Sequence, residues 1–70
     1  MKHTYTPDEI RALRKRANMS QEEFAVALGA ASRSVSRWEK GEIVPGRMAQ
    51  MAIAHFEQEL DRQEQERQNA

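Results

Sequence analysis

The chain has no cysteine, which excludes a disulfide staple, a thiolate zinc site and a cysteine nucleophile. It has no long apolar run either. The longest, residues 24–28, is five residues, far below the roughly 18 needed to cross a bilayer. The N-terminus also lacks the apolar core of a signal peptide, so a soluble, cytoplasmic protein is expected. Three glycines, two prolines and a single tryptophan in 70 residues leave room for one small domain. A domain of this size buries only roughly 60% of its unfolded surface, so a partner subunit is a natural supplement to its thin core. Net charge is lacking too: eleven Lys and Arg balance eleven Asp and Glu, which at first argues against a polyanionic partner.

That balance hides an uneven distribution. Residues 1–47 carry the bases Lys2, Arg11, Arg14, Lys15, Arg16, Arg33, Arg37, Lys40 and Arg47 against Asp8, Glu9, Glu22, Glu23, Glu39 and Glu42, a surplus of +3. Residues 48–70 carry Arg62 and Arg67 against Glu57, Glu59, Asp61, Glu64 and Glu66, a balance of −3. A basic front and an acidic tail cancel in the sum.

What the chain does have is helix punctuation. Thr6-Pro7-Asp8-Glu9 places a threonine cap, a proline in the first turn and a glutamate three residues after the cap. Tyr5 before that cap can pack on Ile10. Ile10, Leu13 and Ala17 then share one helical face, and Asn18 is a left-handed stop. Ser20 and Glu23 repeat the capping box, with Met19 placed to pack on Phe24, and Gly29 ends a helix of barely two turns. A third helical pattern turns Val35 and Trp38 inward and Arg33, Ser36, Arg37 and Lys40 outward, and stops at Gly41. Two short helices joined by a tight glycine turn form a helix-turn-helix unit, whose second helix is the one that enters a major groove.

Residues 43–46 read as an extended connector, because the residue before Pro45 is pushed out of the helical region. From Arg47 the composition is helical again. Met48, Ala52, Phe56 and Leu60 recur every four residues, flanked by Ala49, Met51 and Ile53. The stripe ends at Leu60; residues 61–69 contain no apolar side chain and are expected to form a solvated, frayed helix. The expected division is therefore a domain over residues 1–60 and a charged helical extension over 61–70.

The run from Gln21 to Gly29, followed by Ser34-Val35-Ser36-Arg37-Trp38-Glu39-Lys40-Gly41 and Pro45, resembles the phage Cro and repressor type of helix-turn-helix domain, the XRE-like family. The resemblance covers roughly residues 6 to 56. It implies an all-α, lambda-repressor-like domain of four to five helices with a long C-terminal helix. It implies a DNA-binding transcription regulator, most simply a homodimeric repressor on an inverted-repeat operator. It further implies an ion pair between Arg14 of the first helix and Glu39, and base-reading roles for Ser32, Arg33, Ser36 and Arg37. A guanidinium can donate twice to guanine, which is worth roughly 1–3 kcal/mol of discrimination. Phosphate contacts are expected from Gln21, Ser34, Lys40 and Arg47.

The chain departs from the family after the turn glycine, where Ala30 and Ala31 replace the usual hydroxyl residue that caps the recognition helix. Either Ser32 caps one residue late or the cap is lost, at about 1 kcal/mol. A dimer surface is expected on the C-terminal helix at Met51, Ile53, Phe56 and Leu60, although part of that stripe must cover the core. No cofactor and no metal are expected. Among rival functions an enzyme is the weaker: His3 stands near the terminus, His55 has only Glu59 nearby, and no phosphate loop or nucleophile–base pair occurs. A protein-binding module, such as an antitoxin that engages a toxin, is the stronger rival. The basic outward face of the third helix favours DNA over it.

Overall fold

Thr6 opens the first helix in both directions. Its hydroxyl accepts from the Glu9 N–H at 3.1 Å, and the Glu9 carboxylate accepts from the Thr6 N–H at 2.9 Å. Ser20 and Glu23 reproduce this box at 3.1 and 2.8 Å. Each box satisfies backbone N–H groups that the helix itself cannot. The computed structural model describes residues 4–69; Lys2 and His3 lie outside the described residues. It contains α1 (Pro7–Arg16), α2 (Gln21–Leu28), α3 (Ser32–Lys40) and α4 (Arg47–Asn69), with no strand among the described residues.

The stops are equally local. Asn18 sits at φ 58°, and Gly29 and Gly41 cap α2 and α3 at φ 71° and 76°. Glycine takes these values without a Cβ penalty. At the start of α3, Ala31 is extended and gives no side-chain hydrogen bond, and Ser32 is already the first helical residue. Ser32 therefore does not replace the missing cap.

The core is shared by all four helices and the strap before α1: Tyr5, Ile10, Leu13, Phe24, Ala25, Val35, Trp38 and Ile53 are buried. Side chains such as Phe24, Ile10, Ile53 and Val35 each contribute roughly 1.5–3 kcal/mol on leaving water. α2 packs chiefly on α3, α1 reaches α3, and α4 crosses α2. Phe56 of α4 meets Phe24 edge to face, with ring centroids 5.1 Å apart and planes at 88°.

These contacts correct the dimer expectation for part of α4. Ile53 is fully buried within the protomer, so it cannot meet a partner. Phe56 and Leu60 are half-buried and pack against the same core. The outward apolar residues are instead Met48 and Met51, which are 80% and 59% exposed. Beyond Leu60, α4 continues unbroken to Asn69, and its charges are not merely solvated. The Arg16 guanidinium donates to Asp61 and, at 2.7 and 3.0 Å, to Glu64. The extension is thus tied back to α1.

Candidate nucleic-acid interface

α3 separates its residues by face. Val35 and Trp38 are buried, while Ser32, Arg33, Arg37 and Lys40 are exposed and Ser34 and Ser36 are half-buried. Nine residues with that division present a basic, small-residue ridge over an apolar base. Arg33 and Lys40 have no ion-pair partner among the described residues, and Arg37 approaches only Glu42, at 4.0 Å. The bases on this ridge are therefore available to a ligand.

Glu39 fixes the ridge from below. It lies on the inner side of α3, only 4% exposed. Arg14 of α1 grips it with two parallel bonds, Nε to Oε2 at 2.7 Å and Nη2 to Oε1 at 3.0 Å. The third guanidinium nitrogen of Arg14, Nη1, donates to the Met19 carbonyl at 3.1 Å. Arg11 adds a bond of 2.6 Å to the Glu39 backbone carbonyl, one of the orphan acceptors at the end of α3. Burial pushes the Glu39 carboxyl up, but hydrogen bonds from Arg14 and Gln21 and the positive charges of Arg14 and Arg11 outweigh it and hold the carboxyl below its ordinary value. The hydrogen bond to Glu39 raises Arg14 in turn, against its own desolvation. Both groups are charged at neutral pH.

Gln21 joins the same cluster. It is the first residue of α2, and its side-chain amide donates to Glu39 at 3.2 Å. An amide has two hydrogens, so Gln21 retains a second donor at the start of α2. Gln21 and α3 are thereby held in one frame. Ser34 is half-buried on α3, and Arg47 stands exposed at the start of α4 with no ion-pair partner among the described residues.

Several working residues escaped sequence reasoning. Arg11 and Arg16 enter the sequence reading only as part of the basic surplus, yet one caps α3 and the other clamps α4. Tyr5 does more than pack: its N–H donates to Gln50 at 3.0 Å and its hydroxyl to Glu57 at 2.6 Å. Burial and the neighbouring Glu57 push the Tyr5 hydroxyl far above its ordinary value, so it remains a donor. No short-range signal announces contacts across 45 and 52 residues.

A model of the helix-turn-helix family matches residues 10–56, about two thirds of the chain. This chain belongs to the Cro and repressor type of helix-turn-helix family. A search among curated proteins finds no match. The helix-turn-helix protein is a DNA-binding transcription regulator, with α2 and α3 forming the unit and α1 and α4 bracing it. The matched segment ends at Phe56, so the Arg16 clamp on Asp61 and Glu64 lies on a part of α4 beyond it. Among the described residues no helix of the helix-turn-helix protein is long and apolar enough to cross a membrane, and no three metal-ligating side chains cluster.

Proposed function

We propose that the protein is a homodimeric transcriptional repressor that reads an inverted-repeat operator by laying α3 in the major groove. The observation that carries this is the exposed ridge of Arg33, Arg37 and Lys40 on a helix whose opposite face is locked by Val35, Trp38 and Glu39. Ser32, Arg33, Ser36 and Arg37 face base edges. Gln21, Ser34, Lys40 and Arg47 engage phosphates on either side, which positions the helix without reading sequence. One such unit spans a few base pairs, so two copies on half-sites about 34 Å apart supply the specificity of a repressor. In this arrangement the protein acts by occupying a promoter and works in the cytoplasm.

The test is a binding titration against duplex from the upstream region of its own gene. Arg33→Ala combined with Arg37→Ala should abolish saturable, sequence-selective binding while leaving the helical spectrum unchanged. Rising salt should weaken the wild type with a log–log slope of about −0.9 per phosphate neutralised. Unaltered binding by the double variant would remove α3 as the reading helix.

A further inference from the structure

The outward face of α3 carries a restricted chemistry. α3 has no Asn, Gln or Asp, and its single Glu, Glu39, is buried beneath the ridge. Outward it offers Arg33, Arg37 and Lys40, with the hydroxyls of Ser32 and the half-buried Ser36. Adenine is read by a bidentate Asn or Gln and cytosine by an acidic acceptor, and the ridge holds neither kind of reader. What a guanidinium matches in the major groove is the acceptor pair O6 and N7 of guanine. Arg33 and Arg37 stand four residues apart on one side of the helix, about 6 Å along its axis. Base pairs stack about 3.4 Å apart, so that separation spans roughly two steps.

The two arginines differ in their surroundings. Arg33 has no ion-pair partner among the described residues, whereas Arg37 has the Glu42 carboxylate beside its Nε, at 4.0 Å. The backbone places Glu42 there: Gly41 ends α3 at φ 76°, and the next N–H, that of Glu42, donates to the Arg37 carbonyl at 3.0 Å. An acid at this position repels phosphate and weakens binding to every sequence alike. What it adds is direction. A carboxylate beside Nε restricts the guanidinium and leaves Nη1 and Nη2, a two-donor edge, to face the groove.

We propose that the bound DNA site carries two guanines about two base-pair steps apart, and that Glu42 is the positioning residue that makes Arg37 the stricter reader of the two. The proposal rests on the DNA-reading function above and names the sequence class which that site selects. An arginine held in one orientation has less rotamer freedom to lose on binding and less freedom to evade a mismatched base. Adenine keeps N7 but presents an amino donor where guanine has O6, so one of the two bonds becomes a donor facing a donor. Arg33, without a partner, swings aside to a phosphate and tolerates the change. Discrimination at a good bidentate contact corresponds to roughly 5- to 150-fold per base pair, and Arg37 belongs in the upper part of that range and Arg33 in the lower.

Selection of bound duplexes from a random-sequence library by the full chain, followed by titration of single-base variants, tests this. The selected site should contain both guanines. Replacing either with deazaguanine, which lacks N7, should weaken binding at least about fivefold. Arg33→Ala and Arg37→Ala should each erase the preference at one guanine, which assigns its reader. Glu42→Ala, with an unchanged helical spectrum, should lower the guanine preference at the Arg37 position at least about fivefold and leave the Arg33 position as it was. It should also bind unrelated duplex as well as wild type or better. Glu42→Gln, whose amide oxygen still accepts from Nε, should stay closer to wild type than the alanine variant does. A selected site without the paired guanines would overturn the proposal and leave DNA reading by α3 standing. A Glu42→Ala variant whose guanine preference is intact, or falls equally at both positions, would overturn it as well. No enriched sequence at all would refute the sequence-reading function and the proposal with it.

Discussion

Glu39→Ala is the sharpest single perturbation this structure offers. The carboxylate is almost wholly enclosed, and its removal leaves Arg14, whose side chain is 15% exposed, with two of its three hydrogen bonds gone. Breaking a buried pair from one side costs about 3–5 kcal/mol, because the surviving charge stays desolvated. The partial exposure of Arg14 places the loss near the lower end, about 3 kcal/mol. A 70-residue domain holds only about 4–10 kcal/mol in total. At about 4–8 °C per kcal/mol, the midpoint of thermal unfolding should fall by roughly 12–24 °C, read by circular dichroism. Arg14→Met together with Glu39→Leu should recover most of the loss, since it removes both charges at once. The acid limb gives an independent check. The native Glu39 carboxyl sits below the ordinary 4.5, so its contribution is complete above that pH and fades as pH falls through the lowered native value. The stability gap between wild type and Glu39→Gln should therefore close on acidification. A Glu39→Ala variant melting within about 5 °C of wild type would refute the buried-hub account.

Two further tests address the helix ends and the tail. Ala31 already has the extended backbone of a cap residue, so Ala31→Ser should add about 1 kcal/mol and raise the midpoint by roughly 4–8 °C; no gain would mean that the hydroxyl cannot reach the free N–H groups of α3. Arg16→Ala frees Asp61 and Glu64, and should lower helical ellipticity at low salt with the difference vanishing near 1 M salt, where charges are screened within about 3 Å. A loss that persists at high salt would assign Arg16 a packing role instead.

Helix boundaries were legible because their causes are local. Capping boxes, two left-handed glycines and Asn18 all act within a turn of the residue concerned. The division of α4 between inside and outside was not. Its eight apolar residues spread over more of the helix than one face, and periodicity cannot say which edge of a wide stripe turns inward. Ile53 went in and Met48 stayed out because Phe24 and Trp38 occupy particular positions across the core. Roles set by distant charges were hidden for a related reason. Arg11, Arg14 and Arg16 are the same residue type within two turns of α1, yet they serve a backbone carbonyl, a buried carboxylate and two acids some 45 residues away. The resemblance singled out Arg14; nothing in the spacing marked the other two.

Glu39 also governs how the molecule moves. One carboxylate is bonded to α1 through Arg14 and to α2 through Gln21 while belonging to α3. Neither α1 nor α3 can open on its own without stranding a charge, and opening α2 strips the Glu39 carboxylate of the Gln21 amide, so partial unfolding near α3 is suppressed and the three should exchange their amide hydrogens as one cooperative unit. In the proposed mode of binding, DNA meets a helix whose orientation is already set, and the ordering entropy of that helix is settled during folding instead of at the operator. Under the proposed function, discrimination between operators is left to side-chain chemistry and to the spacing of two copies, with little contribution from adjustment of the fold.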